Sequence, residues 1–452
     1  MESEGYHVAM PYFAKHYGSV FLLAALVNLA SAYAESAATA KPSPTPASAS
    51  IARLGISANP GAINQMTGTG QLGNLITERI GIKDKGIFIG GVWVGDANYL
   101  ISGGENPGSW SFNSLLIASL GIDAEKLVGW KGGRFGIEFL QFDGQNTNAQ
   151  AGSVQGYNSL PGPAPLQRSE LYQLWWRQEL FDGKLIFRVG KLVPTDDFGN
   201  VLRPVSLDDK AEFIPSISGL LFTPIFVNPA MLGVMPGYYN SASGVTTTFV
   251  PSKHFYLSYG VYDGNLANGT QTGMTGPQFN GYYFNIWQAG ATWLVGKDKL
   301  PGSFGVGLWN QTGELKARSI SESGATGIYM FGSQRLWFRH PGKDNSGITG
   351  YFQFGANNSV TLPVNQYFGT GLTAFGMVPN RAQDSMGAGM AWSWLNKNDF
   401  NRSSELMFQS YYQAHLIQGM YFQPAMSYIP TPGADASLGG AWALTLRVIV
   451  LF

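Results

Sequence analysis

Ala441-Trp442-Ala443-Leu444-Thr445-Leu446-Arg447-Val448-Ile449-Val450-Leu451-Phe452 closes the chain on a run that alternates with period two. Trp442, Leu444, Leu446, Val448, Val450 and Phe452 share one face, while Thr445 and Arg447 share the other. That is the spacing of a β-strand whose faces meet different surroundings. The same period governs Arg134 to Phe139, where Phe135, Ile137 and Phe139 alternate with Arg134, Gly136 and Glu138. It returns in a hairpin, with Tyr172, Leu174, Trp176 and Leu180 on one face and Gln173, Trp175, Arg177 and Glu179 on the other. Asp182-Gly183 makes the turn, and Leu185, Phe187 and Val189 then oppose Lys184, Ile186 and Arg188. One face is greasy and the other charged, a pattern that a soluble sandwich shares.

The connections separate the two folds. Runs bounded by Gly, Pro, Asn and Asp place strands near 86–100, 110–122, 133–142, 169–180, 184–192, 239–250, 254–263, 281–294, 303–315, 327–338, 347–358, 366–378, 385–396, 404–417, 420–430 and 440–452, sixteen in all. One set of connections is short (181–183, 251–253, 339–346, 379–384, 418–419). The other contains the long, polar, Gly/Pro-rich segments 143–168, 193–238 and 264–280. Short turns at one end and long loops at the other are expected of an all-β transmembrane antiparallel barrel of about 16 strands, of the outer-membrane porin type. A sandwich gives no reason for that asymmetry. Trp392, Trp394, Tyr428 and Trp442 near strand ends suit interfacial aromatic girdles.

Composition agrees. The 452 residues are 44% hydrophobic and 12% charged, against about a quarter charged in ordinary soluble domains. Past the first 30 residues there is no apolar run of the 18 or so needed for a spanning helix. Lys+Arg and Asp+Glu each number 28, so no net field recruits nucleic acid. The absence of Cys removes disulfides, thiolate metal sites and cysteine nucleophiles. Lys15 and His16 precede an apolar stretch from Val20 to Leu29 and an Ala32-Tyr33-Ala34 exit, so residues 1–34 read as an export signal. Residues 35–85 read as a flexible Ala/Ser/Thr/Pro lead-in followed by a short periplasmic helix, from Leu72 to Ile82, and 86–452 as the barrel.

A barrel of this size encloses a lumen too wide for side chains to fill, so solutes can occupy it. Segment 193–238 begins Val193-Pro194-Thr195-Asp196-Asp197-Phe198 and carries Ile214, Leu220, Leu221, Phe222, Ile225 and Phe226, which a solvated loop would not keep exposed. It is expected to fold inward or cap the pore, with packing against other external loops as the alternative, and Asp196 and Asp197 are its candidate constriction residues. The expected lumen wall includes Glu138, Trp175, Arg177, Glu179, Arg188, Trp309, Glu405, Gln409, Tyr411, Gln413 and His415. Its mixed charges filter ions weakly. Amide, carboxylate and guanidinium groups can bond the hydroxyls of a neutral polyol, whose C–H faces can lie on Trp or Tyr rings. The substrate-binding candidates are Glu138, Trp175, Arg177, Glu179, Arg188 and Trp309.

Gly371-Leu372 through Gly376-Met377-Val378-Pro379-Asn380-Arg381-Ala382-Gln383-Asp384-Ser385-Met386-Gly387-Ala388-Gly389 resembles the G-L-x-x-x-G-x-x-P-x-R-x-x-D-x-x-G-x-G run of the carbohydrate-selective porins of the OprB family. Gly327-x-Tyr329 with Gln334, Leu174-Trp175 to Arg188-Val189-Gly190-Lys191, and Gln423-Pro424 to Tyr428-Ile429 support the likeness. The resemblance implies a sixteen-stranded outer-membrane channel that passes sugars by diffusion, with carbohydrate and outer-membrane lipid as partners and no cofactor. A homo-oligomer is left open by the sequence. A general or weakly ion-selective porin is the alternative. An enzyme is disfavoured: only His254, His340 and His415 follow the export signal, the first two in expected short turns, and no HExxH metal motif or other metal site occurs.

Overall fold

The structure is a computed structural model, and it describes residues 79–82, 85–163, 166–199, 201, 219–237, 240–252, 254–341, 343–344, 346–417 and 419–452. The export signal, the lead-in and most of the expected helix lie outside the described residues.

Among the described residues sixteen antiparallel strands close into one barrel, each paired with its sequence neighbours and the first with the last. They are β1 Ile87–Ser102, β2 Trp110–Asp123, β3 Gly133–Gly144, β4 Arg168–Leu180, β5 Leu185–Leu192, β6 Ala242–Ser252, β7 Phe255–Asp263, β8 Tyr283–Val295, β9 Leu300–Ala317, β10 Ile320–Phe338, β11 Gly347–Asn357, β12 Val364–Phe375, β13 Ser385–Leu395, β14 Ser404–Ile417, β15 Met420–Ile429 and β16 Ala441–Leu451. Two short helices, α1 Ala124–Val128 and α2 Thr147–Gln150, lie in connections. The closing seam runs from Val92 opposite Leu451 to Ser102 opposite Trp442, so the sheet has no open edge. The expected alternation holds along β16: Trp442 is exposed on the outer face, whereas Ala443, Thr445 and Arg447 are buried on the inner one.

Two local features depart from the reading by period. Residues 316–326 were expected to connect two strands, yet β9 and β10 run on and leave only 318–319 between them. Gly313 and Gly324 have φ of 94° and 72°, and the ladder shifts register between Ser323 and Ala325. They belong to a bulge, which glycine accommodates without breaking the strand. A second register shift, opposite Glu138 and Phe139, leaves Tyr172 as the extra residue of β4. Tyr172 therefore turns inward, 1% exposed, beside Leu140, Phe142 and Leu160, while its neighbours Leu171 and Leu174 face out.

The Pro379-to-Asp384 motif forms the turn between β12 and β13. Asp384 accepts from Arg381 Nε at 2.7 Å, from the His415 backbone N–H at 3.0 Å, and from the Tyr412 hydroxyl. Arg381 also donates to the His415 carbonyl, so the turn is tied to β14. Burial raises the affinity of the Asp384 carboxyl for its proton, but the bonds from Tyr412, Arg381 and the His415 amide outweigh it and hold the group below its ordinary value of 3.8.

Asp384→Asn is expected to lower stability by about 1–3 kcal/mol at pH 7 in reversible urea unfolding from lipid vesicles. A depressed folded-state pKa stabilises above the unfolded value and loses that contribution as pH falls through the folded one, so the gap between wild type and variant should close below about pH 4. A gap that is constant with pH would show that the carboxylate charge is not what matters. On the outer face, Leu446→Arg is expected to cost about 2–4 kcal/mol in the same assay if the residue sits near the bilayer midplane.

Candidate translocation site

The described parts of two long connections do not project into water. Tyr157, Leu160, Leu220, Leu221, Phe222 and Ile225 are each at most 2% exposed, because two connections turn into the lumen and bury their apolar residues there. Segment 145–167 carries α2, whose N-terminus is capped by Asn146. Beyond it, Asn158 Nδ2 donates to Asp96 at 2.8 Å and to Asn98 at 2.7 Å on the inner face of β1. Asp96 also holds Arg447 of β16 through two bonds of 2.7 Å, an ion pair shut away from solvent. Three strands round from β1, Glu405 of β14 accepts from Ser153 Oγ at 2.7 Å and from the backbone N–H groups of Val154, Gln155 and Gly433 at 2.8, 3.1 and 2.6 Å.

The described parts of segment 193–241 cross the lumen by the same means. The Leu221 and Phe222 N–H groups donate to Gln409 Oε1 of β14, and Gln423 of β15 donates to the Gly219 carbonyl. Asn228 Nδ2 reaches the Phe354 carbonyl of β11 at 2.9 Å, and Asn357 donates to the Ala230 carbonyl at 2.8 Å. Thr223 N–H to the Gly156 carbonyl, at 3.0 Å, ties the two segments to each other. For the described residues of 193–238 the expected inward course is met, and the packing against a second loop offered as its alternative occurs as well. Ile214 lies outside the described residues.

On the opposite wall β3, β4 and β5 bring the sequence candidates together. Gln173 Nε2 bridges Glu138, at 2.7 Å, and Asp196, at 3.1 Å. Arg188 pairs with Asp197, which also accepts from Thr246 of β6 at 3.2 Å. The Arg188 guanidinium lies 5.7 Å over the Trp175 ring. Trp175 Nε1 and Arg188 Nε are buried donors without a protein partner. Glu138, Trp175, Arg188, Asp196 and Asp197 thus form one cluster. One inward step towards the short turns, Arg177 and Arg134 both pair with Glu179, in a less buried position. Trp309 stands apart: it lies on β9, four strands round from β5, 6.2 Å from the Phe284 ring. Glu405, Gln409 and Gln413 are on the inner wall as expected, but the first two anchor loops.

Gln173, Thr246 and Tyr262, whose hydroxyl lies 2.6 Å from that of Thr246, complete the cluster and were not singled out from the sequence. Their signal is register: Arg188 stands beside Thr246 across β5 and β6.

The family model described as carbohydrate-selective porin, OprB family, matches residues 116–452. The chain belongs to that family. It is 23% identical to Porin B of Pseudomonas aeruginosa over 433 residues, which is 84% of this chain and 91% of the relative. In fold it is similar to the high-pH structure of Pseudomonas putida OprB, with a TM-score of 0.71 and 19% identity over 86% of this chain and 98% of that one. The low-pH structure gives a TM-score of 0.54 and 16% identity over 84% and 97%. As an OprB-family porin the chain is a bacterial outer-membrane channel for the diffusion of carbohydrates, with the inward loops at the end of the long connections.

Glu405→Ala removes the acceptor of three backbone amides and a hydroxyl, a loss of about 2–4 kcal/mol at the anchor. Single-channel recordings are expected to show a larger and noisier open conductance as segment 145–167 leaves the wall. Unchanged conductance with intact folding would mean that this loop does not set the width.

Proposed function

We propose that the Glu138–Trp175–Arg188 cluster, closed from the loop side by Asp196 and Asp197, is the constriction at which this porin selects neutral sugars. The observation that carries the reading is the Arg188 guanidinium over the Trp175 face, with an unpartnered donor on each. A pyranose can lay its C–H face on an indole while its hydroxyls bond the guanidinium and carboxylates around it. With Arg134, Arg177 and Glu179 the wall holds three guanidiniums against four carboxylates, nearly cancelling at long range, so it discriminates weakly by ionic sign. Arg177 and Glu179 then form the next polar step of the path, and Trp309 lies outside the selecting cluster.

Passage requires weak binding, on the order of millimolar, or about −4 kcal/mol in total. Each contact then carries about 1 kcal/mol, so Trp175→Ala and Arg188→Gln are each expected to raise the glucose concentration that half-blocks single-channel current about five-fold. If both variants kept native sugar block and instead changed the anion-to-cation permeability ratio, the cluster would be an ion filter of a general porin.

A further inference from the structure

Arg335 of β10 is 0% exposed, and its Nε, Nη1 and Nη2 all lack a hydrogen-bond partner. It alternates with Tyr329, Phe331 and Ser333 on the inner face, in the half of the barrel nearer the short turns. The guanidinium lies 4.9 Å from the Phe338 ring and 5.3 Å from the Phe375 ring. Ring faces offset part of the desolvation of a cation, but a buried guanidinium with no anion remains unfavourable.

The surrounding strands hold no counter-ion for it. From β9 to β13 the acidic residues are Glu314 and Glu322, and both stand at the opposite end of the wall. In the adjoining turns, Asp344 is bonded to His340 and Ser346, and Asp384 to Arg381 and Tyr412. Threonines stand beside Arg335 instead. Thr349, its register partner on β11, is buried with a hydroxyl oxygen that also lacks a partner, and Thr373 lies beside Thr349 on β12. An unpaired planar fork beside a free hydroxyl matches a ligand that carries a carboxylate next to alcohols.

We propose that Arg335, with Thr349, is a second subsite of the channel, taking the carboxylate of an acidic monosaccharide such as a hexuronate. The assignment rests on the carbohydrate-channel reading but not on the Trp175–Arg188 cluster, which lies on the other side of the lumen. The ligand's carboxylate supplies the negative charge that the described residues around Arg335 do not.

The test is current block of single channels in planar bilayers by glucuronate, glucose, acetate and inorganic phosphate, for wild type, Arg335→Gln and Arg335→Lys. Wild type is expected to be half-blocked by glucuronate at about ten-fold lower concentration than by glucose. Arg335→Gln should bring the two values together and leave glucose block unchanged; Arg335→Lys, which keeps the charge but loses the fork, should lose most of the difference. Heat-modifiable gel mobility checks that the barrels are folded, and removal of an unpaired buried charge should not impair it. An unchanged glucuronate-to-glucose ratio in Arg335→Gln overturns the proposal. So does block by acetate or phosphate as strong as by glucuronate, which would make the site a bare anion filter. Absence of glucose block in wild type, with a glucuronate block that Arg335→Gln abolishes, would sink the neutral-sugar constriction and leave the Arg335 subsite standing.

Discussion

Backbone amides and carbonyls inside a bilayer have no water to bond, and every other feature of this chain follows from that constraint. A sheet meets it only by closing, which β1 and β16 do through a ladder from Val92–Leu451 to Ser102–Trp442. Closure makes each strand two-sided. The outer row must be apolar enough for lipid, and the inner row is free to carry Asp96, Glu138, Arg188, Glu405 and Arg447.

Closing sixteen strands creates a space that wall side chains cannot fill, and the two inward connections occupy it. Their apolar residues enter because leaving water favours it, and the polar wall keeps them in place by meeting their backbone groups one by one. Glu405 does this for 153–155, Gln409 for 221–222, and Asn228 and Asn357 between 228–230 and β11. The inner wall is therefore divided by role. The stretch from β13 round to β1 anchors loops, whereas β3 to β6 gather the charged cluster against Asp196 and Asp197. The lower part of β10 to β12 keeps hydroxyls and a guanidinium whose hydrogen-bonding capacity the protein leaves unused.

The strands were legible because their signal is local. Alternation in Arg134–Phe139, in the 169–192 hairpin and in the terminal run assigns faces without knowledge of any other strand, and the loop asymmetry assigns ends. The two failures are bulges. Tyr172 reads as lipid-facing because period two continues through it, and the structure turns it inward because one residue of β4 has no partner on β3. The connection expected over 316–326 is strand in the structure except at 318–319, and Gly324 lets two long strands bend without parting.

The sequence by itself determined that this is a porin-type barrel, how many strands it has, which side chains face inward wherever no bulge intervenes, and that Glu138, Trp175, Arg188, Asp196 and Asp197 are of the kind that could hold a sugar. Only the tertiary structure decided which of the inward residues meet each other. It joined Glu138 to Asp196 through Gln173, set Arg188 between Asp197 and Trp175, spent Glu405 and Gln409 on loop anchoring, left Trp309 elsewhere on the wall, and left Arg335 without a described carboxylate partner. The reason is geometric: face follows from position within one strand, whereas partnership follows from register between strands and from where a loop of many residues comes back to the wall, and neither leaves a periodic trace in the chain.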